Sequence, residues 1–316
     1  MSLDEQKNLT RQTTTFSAQD HLLIWVEAFL VDRKAQNVTP GTIRYYRQKI
    51  KLFTDYCDSQ VITRISQLTP DVLRRFLLRL DETGHNPGGI HSAYRSLRAF
   101  LLWYEAEAEP EGWKNPIRKV KAPKVPEEIL EPVALETVRQ MVENCPDVGF
   151  TGIRDRALLW CLLDTGVRAM ECLALNLDDF DTTGAVIVRQ GKGRKPRTVF
   201  LGKKARRAFR AYLKKRTDKN PAAWITRHGS RLRYAGLRAI LAYRAKRAGV
   251  PSPTAHDFRR AFALAMLRNG VDLITLARLM GHSSLAVLTR YLRQIDADLR
   301  EAHKRGGPAD HMDEGR

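Results

Sequence analysis

Residues 254–292 constrain this chain more than any other stretch, because they place four chemically active side chains on three short predicted helices. His256 and Arg259 are three positions apart, so they share one face of the first helix. His282 lies in the turn before the third helix, and Tyr291 lies on that helix. This set of residue types suits displacement at a phosphodiester by a tyrosine hydroxyl.

The boundaries of these helices are marked by turn and cap residues. Asn269-Gly270 is a helix-stop pair, and a second helix over 273–280 ends at Gly281. Ser283-Ser284 then supplies N-caps for the third helix. The spacing therefore predicts a compact helical cluster with tight turns.

The charge of the chain predicts a polyanionic partner. The 316 residues carry a formal net charge of +19, and 43% of them are hydrophobic, enough for two globular domains. The positive electrostatic field of such a chain attracts polyanions and makes their binding salt-dependent. A solvated basic surface or an acidic membrane surface would explain the charge equally simply. No run of about 18 apolar residues is present, and the polar N-terminus lacks a signal-peptide pattern. Nucleic acid is therefore the favoured partner, without a membrane.

The cysteines predict neither a disulfide framework nor a metal centre. No C-x-x-C pair occurs, and no Cys/His cluster has zinc spacing. Cys57, Cys161 and Cys172 lie in apolar helical contexts, so we expect them to be buried thiols, in a cytoplasmic protein without disulfides. With DNA as the expected partner, the protein is also expected to be nucleoid-associated. The four cysteines are Cys57, Cys145, Cys161 and Cys172.

The N-terminal part predicts a flexible tail over 1–16 and a helical domain over 17–105. Thr39-Pro40 and Thr69-Pro70 each read as an N-cap followed by a proline at the first helical position. Residues 86–89, Asn-Pro-Gly-Gly, read as a turn. The predicted helices cover 21–33, 40–57, 70–82 and 91–104.

Basic residues concentrate on two of these helices and in the following segment. A single basic helix is usually a solvated face, but two such helices in a chain of this charge favour phosphate contact. Residues 106–132 contain five prolines and read as an extended linker whose basic part tracks a DNA backbone. The expected DNA-binding residues are Arg44, Arg47, Lys51, Arg95, Arg98, Lys121 and Lys124.

A second domain, large enough to be a catalytic domain, is predicted over 133–303, and a flexible tail over 304–316 follows it. Strands at 185–188 and 197–201 flank a glycine-bounded turn, so Lys192 lies at or near a β-hairpin turn. The predicted fold is mainly α with a small β-hairpin: an N-terminal helical domain and a C-terminal mixed α+β domain.

Five patches, in order, resemble tyrosine recombinases of the phage-integrase and Xer type. They are T-G-V-R-A-M-E-C-L-A-L, V-R-Q-G-K-G-R-K-P-R, H-D-F-R-R, L-M-G-H-S-S and R-Y-L, and together they span 165–292. The helical domain and the proline-rich linker also look like the core-binding half of that family. Only a short tail precedes Ser17, so the separate arm-binding domain of larger phage integrases is not expected.

The resemblance implies the site residues. Two phosphate-clamping arginines, a hairpin lysine, two histidines, a tyrosine nucleophile and a supporting acidic residue are carried over. They are Arg168 and Arg259, Lys192, His256 and His282, Tyr291, and Glu171. Lys195 competes with Lys192 for its role.

The chain departs from the family pattern at two places. Arg260 stands where the family commonly has a second histidine, and Ala169-Met170 is more apolar than usual. The first departure is compatible with a tolerated change beside the site, and also with a slower or repurposed enzyme.

The chemistry of strand cleavage explains these residue types. Two guanidinium forks match the charge that develops on the non-bridging phosphate oxygens. Tyrosine has a pKa of about 10 and must lose its proton as it attacks, with His256 as the expected base. The resemblance assigns protonation of the leaving 5′-oxygen to Lys192 and a phosphate hydrogen bond to His282.

These residues also have plain structural interpretations. Taken singly, Arg168 is a surface residue at a helix start, His256 caps its helix, His282 belongs to a turn, and Lys192 is solvated. Tyr291 is then a half-buried aromatic residue. Their joint occurrence favours an active site.

The sequence thus predicts a site-specific recombinase or integrase that acts through a 3′-phosphotyrosine intermediate, without ATP, metal or another cofactor. Its expected partners are double-stranded DNA with paired half-sites and three further copies of itself. The tetramer would form on DNA through the last helix, whose apolar stripe otherwise packs in cis. A type IB topoisomerase and a DNA-binding protein with a degenerate site are the alternatives.

Overall fold

A computed structural model describes residues 20–126, 132–189 and 196–281 of the chain. Its contacts divide into two compact units, Met1–Glu128 and Ile129–Arg316, with separate hydrophobic cores. The described residues are mainly helical with one two-stranded sheet, which confirms the predicted fold class. The predicted tails and the predicted third helix of the 254–292 stretch lie outside the described residues.

The described residues of the first unit form four α-helices. Thr39 and Thr69 cap two of them by accepting a hydrogen bond from the backbone N–H three residues on, each at 3.3 Å, as the Thr-Pro pairs predict. Phe29 and Phe100 meet in its core with ring centroids 5.7 Å apart. The helices are α1 Leu22–Ala35, α2 Pro40–Ser59, α3 Pro70–Glu82 and α4 Pro87–Ala108.

The turn predicted at 86–89 is instead the beginning of α4. The Asn86 side chain accepts a hydrogen bond from the Gly89 amide at 2.6 Å, and Pro87 occupies the first helical position. An asparagine cap followed by proline fixes the first turn, and this outweighs the low helix propensity of two glycines.

Part of the segment predicted as an extended linker packs into the first unit. Pro116–Lys119 forms a 3₁₀ turn, and Ile117 and Val120 are buried in the core. The Tyr94 hydroxyl donates to the Val120 carbonyl at 2.9 Å. The apolar residues among the lysines explain this packing, and the domain boundaries at 17–105 and 133–303 stay predictions.

The second unit packs one face of a small antiparallel hairpin against its helical core. Val186 and Val199 pair across the hairpin and are both buried, whereas Ile187 and Phe200 on its other face are exposed. Buried Trp224 stacks on Tyr212 at a centroid distance of 5.7 Å. The elements are α5 Leu135–Glu143, α6 Phe150–Thr165, α7 Ala169–Ala174, β1 Ala185–Val188, β2 Arg197–Phe200, α8 Lys203–Leu213, α9 Tyr234–Ala248, α10 Ala255–Arg268 and α11 Leu273–Met280.

A buried ion-pair cluster joins α6 to α9. Asp155 accepts hydrogen bonds from Arg154 at 2.6 and 2.8 Å and from Nε of Arg244 at 2.8 Å. The Asp155 and Arg244 side chains are 3% and 5% exposed. Removing one partner would leave a buried charge unpaired, which is strongly destabilising. This cluster is therefore part of the scaffold.

The burial of the cysteines fits the sequence interpretation. Cys57, Cys145, Cys161 and Cys172 are all buried and free, and burial raises the pKa of Cys57 to about 12. Within the described ranges, no helix has the length and apolar character needed to cross a bilayer.

Candidate active site

The N-terminus of α10 is fixed by a capping box. The Thr254 side chain accepts from the Asp257 amide at 3.3 Å, and the Asp257 carboxylate accepts from the Thr254 amide at 2.7 Å. This cap sets the first turn of α10, which exposes His256 and turns Arg259 into the protein. Both predicted site residues are thus positioned by a local sequence signal.

Arg259 is 1% exposed, the most deeply buried arginine of the candidate site. Its Nη1 donates to the Gly166 carbonyl and its Nη2 to the Met280 carbonyl, both at 2.6 Å. These carbonyls lie at the ends of α6 and α11, where helical acceptors lack intrahelical donors. Burying a guanidinium is costly unless its N–H groups are paired. The two helix ends therefore supply the hydrogen-bond acceptors that allow Arg259 to be buried.

Gly166 makes the approach of α10 to α6 possible. Its φ of +58° lies in the left-handed region, and a Cβ built there would lie 2.7 Å from Cγ of Phe262 on α10. No other residue type satisfies both conditions without strain. The glycine at position 166 is therefore a packing requirement of the site.

Arg168 is the N-cap of α7 rather than its first helical residue. Its backbone amide and its Nη1 donate to the two carboxylate oxygens of Glu171, each at 2.9 Å. The Arg168 side chain is 34% exposed, so its guanidinium is reachable from solvent. Glu171 thus orients Arg168.

Arg197 on β2 also contacts Glu171, and sequence reasoning did not select it. Its Nη2 and Nη1 donate to the carboxylate at 2.7 and 3.2 Å, and its side chain is 8% exposed. Arg197 lies inside the glycine- and lysine-rich patch, but nothing local distinguishes it from its basic neighbours. Only the part-buried carboxylate opposite it does so.

Three guanidiniums converge on the end of α11. They donate to three successive backbone carbonyls, where the helix dipole is negative and cations are stabilising. The pairs are Arg197 Nε to Leu279 at 2.8 Å, Arg259 Nη2 to Met280 at 2.6 Å, and Arg168 Nη2 to Gly281 at 3.4 Å.

Glu171 is ionised over the whole ordinary pH range. Burial by itself would raise the pKa of this carboxyl. The hydrogen bonds from the Arg197 side chain and the Arg168 amide, the Arg197 charge and the hydrogen bond from the Arg168 side chain lower the pKa to about 2. Glu171 therefore supplies a permanent negative charge between Arg168 and Arg197.

The His256 imidazole is held in its neutral form. Partial desolvation of the ring and the positive charges of Arg260, Arg259 and Arg168 lower its pKa, against an opposing effect of Asp257. Arg260, which departs from the family pattern, donates to the Asp257 carboxylate at 2.8 Å. A neutral imidazole can accept a proton near neutral pH.

The structure therefore brings Arg168, Glu171 and Arg259 together, with His256 within their electrostatic influence. The remaining predicted site residues, and the competing lysine, lie outside the described residues: Lys192, Lys195, His282 and Tyr291. In the described part of the chain, no group of three or more potential metal-ligating residues occurs.

The predicted DNA-binding residues all lie on the surface of the first unit. The two basic helices, α2 and α4, are neighbours. The Tyr45 hydroxyl of α2 donates a hydrogen bond to the Ser92 carbonyl of α4 at 3.2 Å. Lys51 is ion-paired with Asp55 at 2.6 Å. These residues are Arg44, Arg47 and Lys51 on α2, Arg95 and Arg98 on α4, and Lys121 and Lys124 in the segment after the 3₁₀ turn.

Two protein-family models match the chain. Residues 133–297 match the phage integrase family, and residues 26–108 match the N-terminal SAM-like domain of phage integrases. Together they cover both compact units, and the first alone covers more than half of the chain.

Curated relatives align along nearly their whole length. Tyrosine recombinase XerC of Oceanobacillus iheyensis is 29% identical over 299 residues, covering 92% of this chain and 97% of the relative. Tyrosine recombinase XerA of Pyrococcus furiosus is 27% identical over 270 residues, covering 84% and 90%.

Solved structures share the fold. The XerH site-specific recombinase bound to its palindromic difH substrate matches with a TM-score of 0.69 and 21% identity, covering 85% of this chain and 81% of that one. A lambda integrase dimer bound to a core site matches with a TM-score of 0.71 and 14% identity, covering 84% and 97%.

Proposed function

The chain belongs to the phage integrase family, and we propose that it is a site-specific DNA recombinase that acts through a covalent tyrosine intermediate. One observation supports this most directly. Arg168 and Arg259, 91 positions apart, donate to the adjacent carbonyls of Gly281 and Met280. Two guanidiniums are thus anchored side by side, where a phosphate could be clamped between them.

The two arginines would stabilise the transition state of cleavage. Attack on a phosphodiester places additional negative charge on the non-bridging oxygens, and guanidinium forks bind such oxygens with directed hydrogen bonds. Their fixed anchoring means that little reorganisation is needed as this charge develops. Glu171 would keep Arg168 in the orientation that this contact requires.

Strand cleavage would proceed by transesterification. The Tyr291 oxygen forms a bond to phosphorus, its proton passes to His256, and the bond from phosphorus to the 5′-oxygen breaks. Lys192 donates a proton to that leaving oxygen, and His282 donates a hydrogen bond to the phosphate. Rejoining is the reverse reaction with a different 5′-hydroxyl. The phosphotyrosine bond conserves the energy of the phosphodiester, so ATP is not consumed.

Double-stranded DNA with paired half-sites would be the substrate. The XerH and lambda integrase structures contain DNA substrates, and the basic surface of α2 and α4 supports the same partner for this chain. We further propose that four copies assemble on two half-site pairs through the last helix. The helical domain over 17–105 would bind DNA, and the domain over 133–303 would cut it.

Recombination of a defined plasmid tests the function. A plasmid with two directly repeated copies of the recognised site, incubated in EDTA without ATP, should yield two circular recombinant products. A plasmid lacking the site should remain unchanged. Relaxation of both plasmids without recombinant products would instead indicate a type IB topoisomerase.

A further inference from the structure

We propose that Arg197 is a positioning residue for strand cleavage, which ties the hairpin to the end of α11 and aligns Arg168 through Glu171. This inference rests on the proposed recombinase function. Arg197 Nε donates to the Leu279 carbonyl at 2.8 Å, while its two Nη atoms donate to the Glu171 carboxylate at 2.7 and 3.2 Å. One planar fork thus joins a strand, a helix N-terminus and a helix C-terminus.

The geometry of these contacts requires an arginine. Nε and both Nη atoms lie in one rigid plane, so all three hydrogen bonds form in a single conformation. A lysine would keep the positive charge near Glu171, but a single ammonium does not reproduce the planar fork that reaches the carboxylate and the carbonyl together. Substitution can therefore separate the effect of the hydrogen bond to the Leu279 carbonyl from the effect of the ion pair with Glu171.

Close packing against Gly281 supports the same assignment. The φ of Gly281 is +63°, and a Cβ built there would lie 3.0 Å from Nη1 of Arg197. The Arg197 side chain thus covers the backbone of the last residue before His282. Fixing Gly281 fixes the point from which the chain continues to His282 and Tyr291.

Arg197 also lies close to the proposed proton donor in the sequence. It is the first residue of β2, five positions after Lys192. Fixing Arg197 therefore fixes the strand that anchors one side of the hairpin turn. Through one side chain, the anchor points of the lysine segment and the tyrosine segment are held in a constant relation to Arg168.

Arg244 offers a matched control for a merely structural role. Its side chain is 5% exposed, compared with 8% for Arg197, and it too is paired with a buried carboxylate, that of Asp155. It contacts none of the proposed site residues in the described ranges. Loss of Arg244 should reduce stability and leave the cleavage rate of the folded protein unchanged.

The test compares Arg197→Gln, Arg197→Lys and Arg244→Gln under single-turnover conditions with saturating DNA that carries the site. We would measure the rate of covalent adduct formation, the DNA Kd and the thermal unfolding midpoint. We expect Arg197→Gln to slow adduct formation by about tenfold or more, as for a small misplacement of reacting groups, with Kd unchanged. Arg197→Lys should recover only part of the rate. Arg244→Gln should keep the wild-type rate below its own unfolding temperature.

Chemical rescue gives a second test that does not depend on the stability of Arg197→Gln. Millimolar guanidinium, matched in ionic strength by sodium chloride, should accelerate Arg197→Ala and leave the wild type and Arg244→Ala unaffected. Wild-type rates in Arg197→Gln, or an absence of rescue in folded Arg197→Ala, would overturn the proposal. Failure of the wild type to form any adduct would instead reject the recombinase function.

Discussion

The guanidinium of Arg259 donates to the carbonyl oxygen of Gly166 across 93 positions of sequence, at 2.6 Å. This bond places a buried positive charge against the end of α6, two positions before Arg168. The conformation of Gly166 and the position of Arg259 therefore depend on each other. The candidate site is built by contacts between helix ends, and disturbing one of them should disturb the arginine pair.

Gly166→Ala should destabilise the protein strongly. The substitution forces a residue with a Cβ into the left-handed conformation and brings that Cβ into a clash with the Phe262 ring. We expect the free energy of unfolding to fall by about 2 kcal/mol or more, the sum of backbone strain and overpacking. Urea unfolding followed by circular dichroism measures this difference.

Gly249→Ala is the matched control for that measurement. Gly249 also ends a helix with a positive φ, +69°, but its added Cβ would meet nothing within 4 Å. The free energy of unfolding of Gly249→Ala should fall only by the contribution of backbone strain, about 1 kcal/mol. Equal losses in the two variants would show that Phe262 does not restrict residue 166.

Arg260→Gln should shift the pH dependence of cleavage. His256 must be neutral to accept a proton, and its pKa lies below the ordinary 6.5 partly because of the Arg260 charge. Cleavage by the wild type should therefore persist below pH 6.5 and decline only as His256 becomes protonated. Removing the Arg260 charge and releasing Asp257 should raise the pKa of His256. The acidic limb of the pH–rate profile, where cleavage declines as the pH falls, should therefore move to higher pH.

Single-turnover adduct formation across pH values measures that limb. Arg247→Gln, an exposed substitution on α9, controls for the loss of one positive charge. An acidic limb at the same pH in Arg260→Gln and in the wild type would exclude electrostatic control of His256 by Arg260.

Arg168→Ala should slow cleavage and leave DNA affinity largely intact. The Arg168 guanidinium is a third exposed and already oriented by Glu171. Losing a preorganised donor to the developing charge should slow adduct formation by roughly two orders of magnitude or more. Normal cleavage by the folded variant would remove Arg168 from the proposed clamp, and the Arg244→Gln variant controls for stability.

The basic surface of the first unit should set the salt dependence of DNA binding. Replacing Arg95 and Arg98 on α4 with alanine should reduce the slope of log K against log salt by about 2, since each phosphate contact contributes about 0.9. The control pair is Arg75 and Arg79, exposed arginines of α3 that are ion-paired with Asp71 and Glu82. The same slope in the wild type and the Arg95/Arg98 variant would exclude these two residues from phosphate contact.

Local signals predicted the secondary structure around the site well. Leu273–Met280 and Ala185–Val188 have the predicted bounds, because a glycine after one and turn residues beside the other mark where each element stops. The first turn of α4 was missed, since its asparagine and proline cap looks like a turn when read without the helix that follows.

Long-range contacts were not predictable in the same way. Sequence patches selected Arg168 and Arg259, but the hydrogen bonds from Arg168 to Gly281 and from Arg259 to Gly166 each join residues roughly a hundred positions apart. The same limit explains the omission of Arg197, whose role depends on Glu171 and Leu279. Hydrogen bonds between distant segments leave no periodic trace in the sequence.

The most direct measurement is a denaturing trap with wild-type protein and Tyr291→Phe. Each is incubated with fragmented genomic DNA in EDTA, quenched in detergent, and the DNA ends that remain attached to protein are sequenced. The recombinase account predicts adducts at one recurring motif for the wild type, and none for Tyr291→Phe, which should still bind that motif. Adducts that persist in Tyr291→Phe, adducts spread over all sequences, or no wild-type adducts despite intact binding would contradict it.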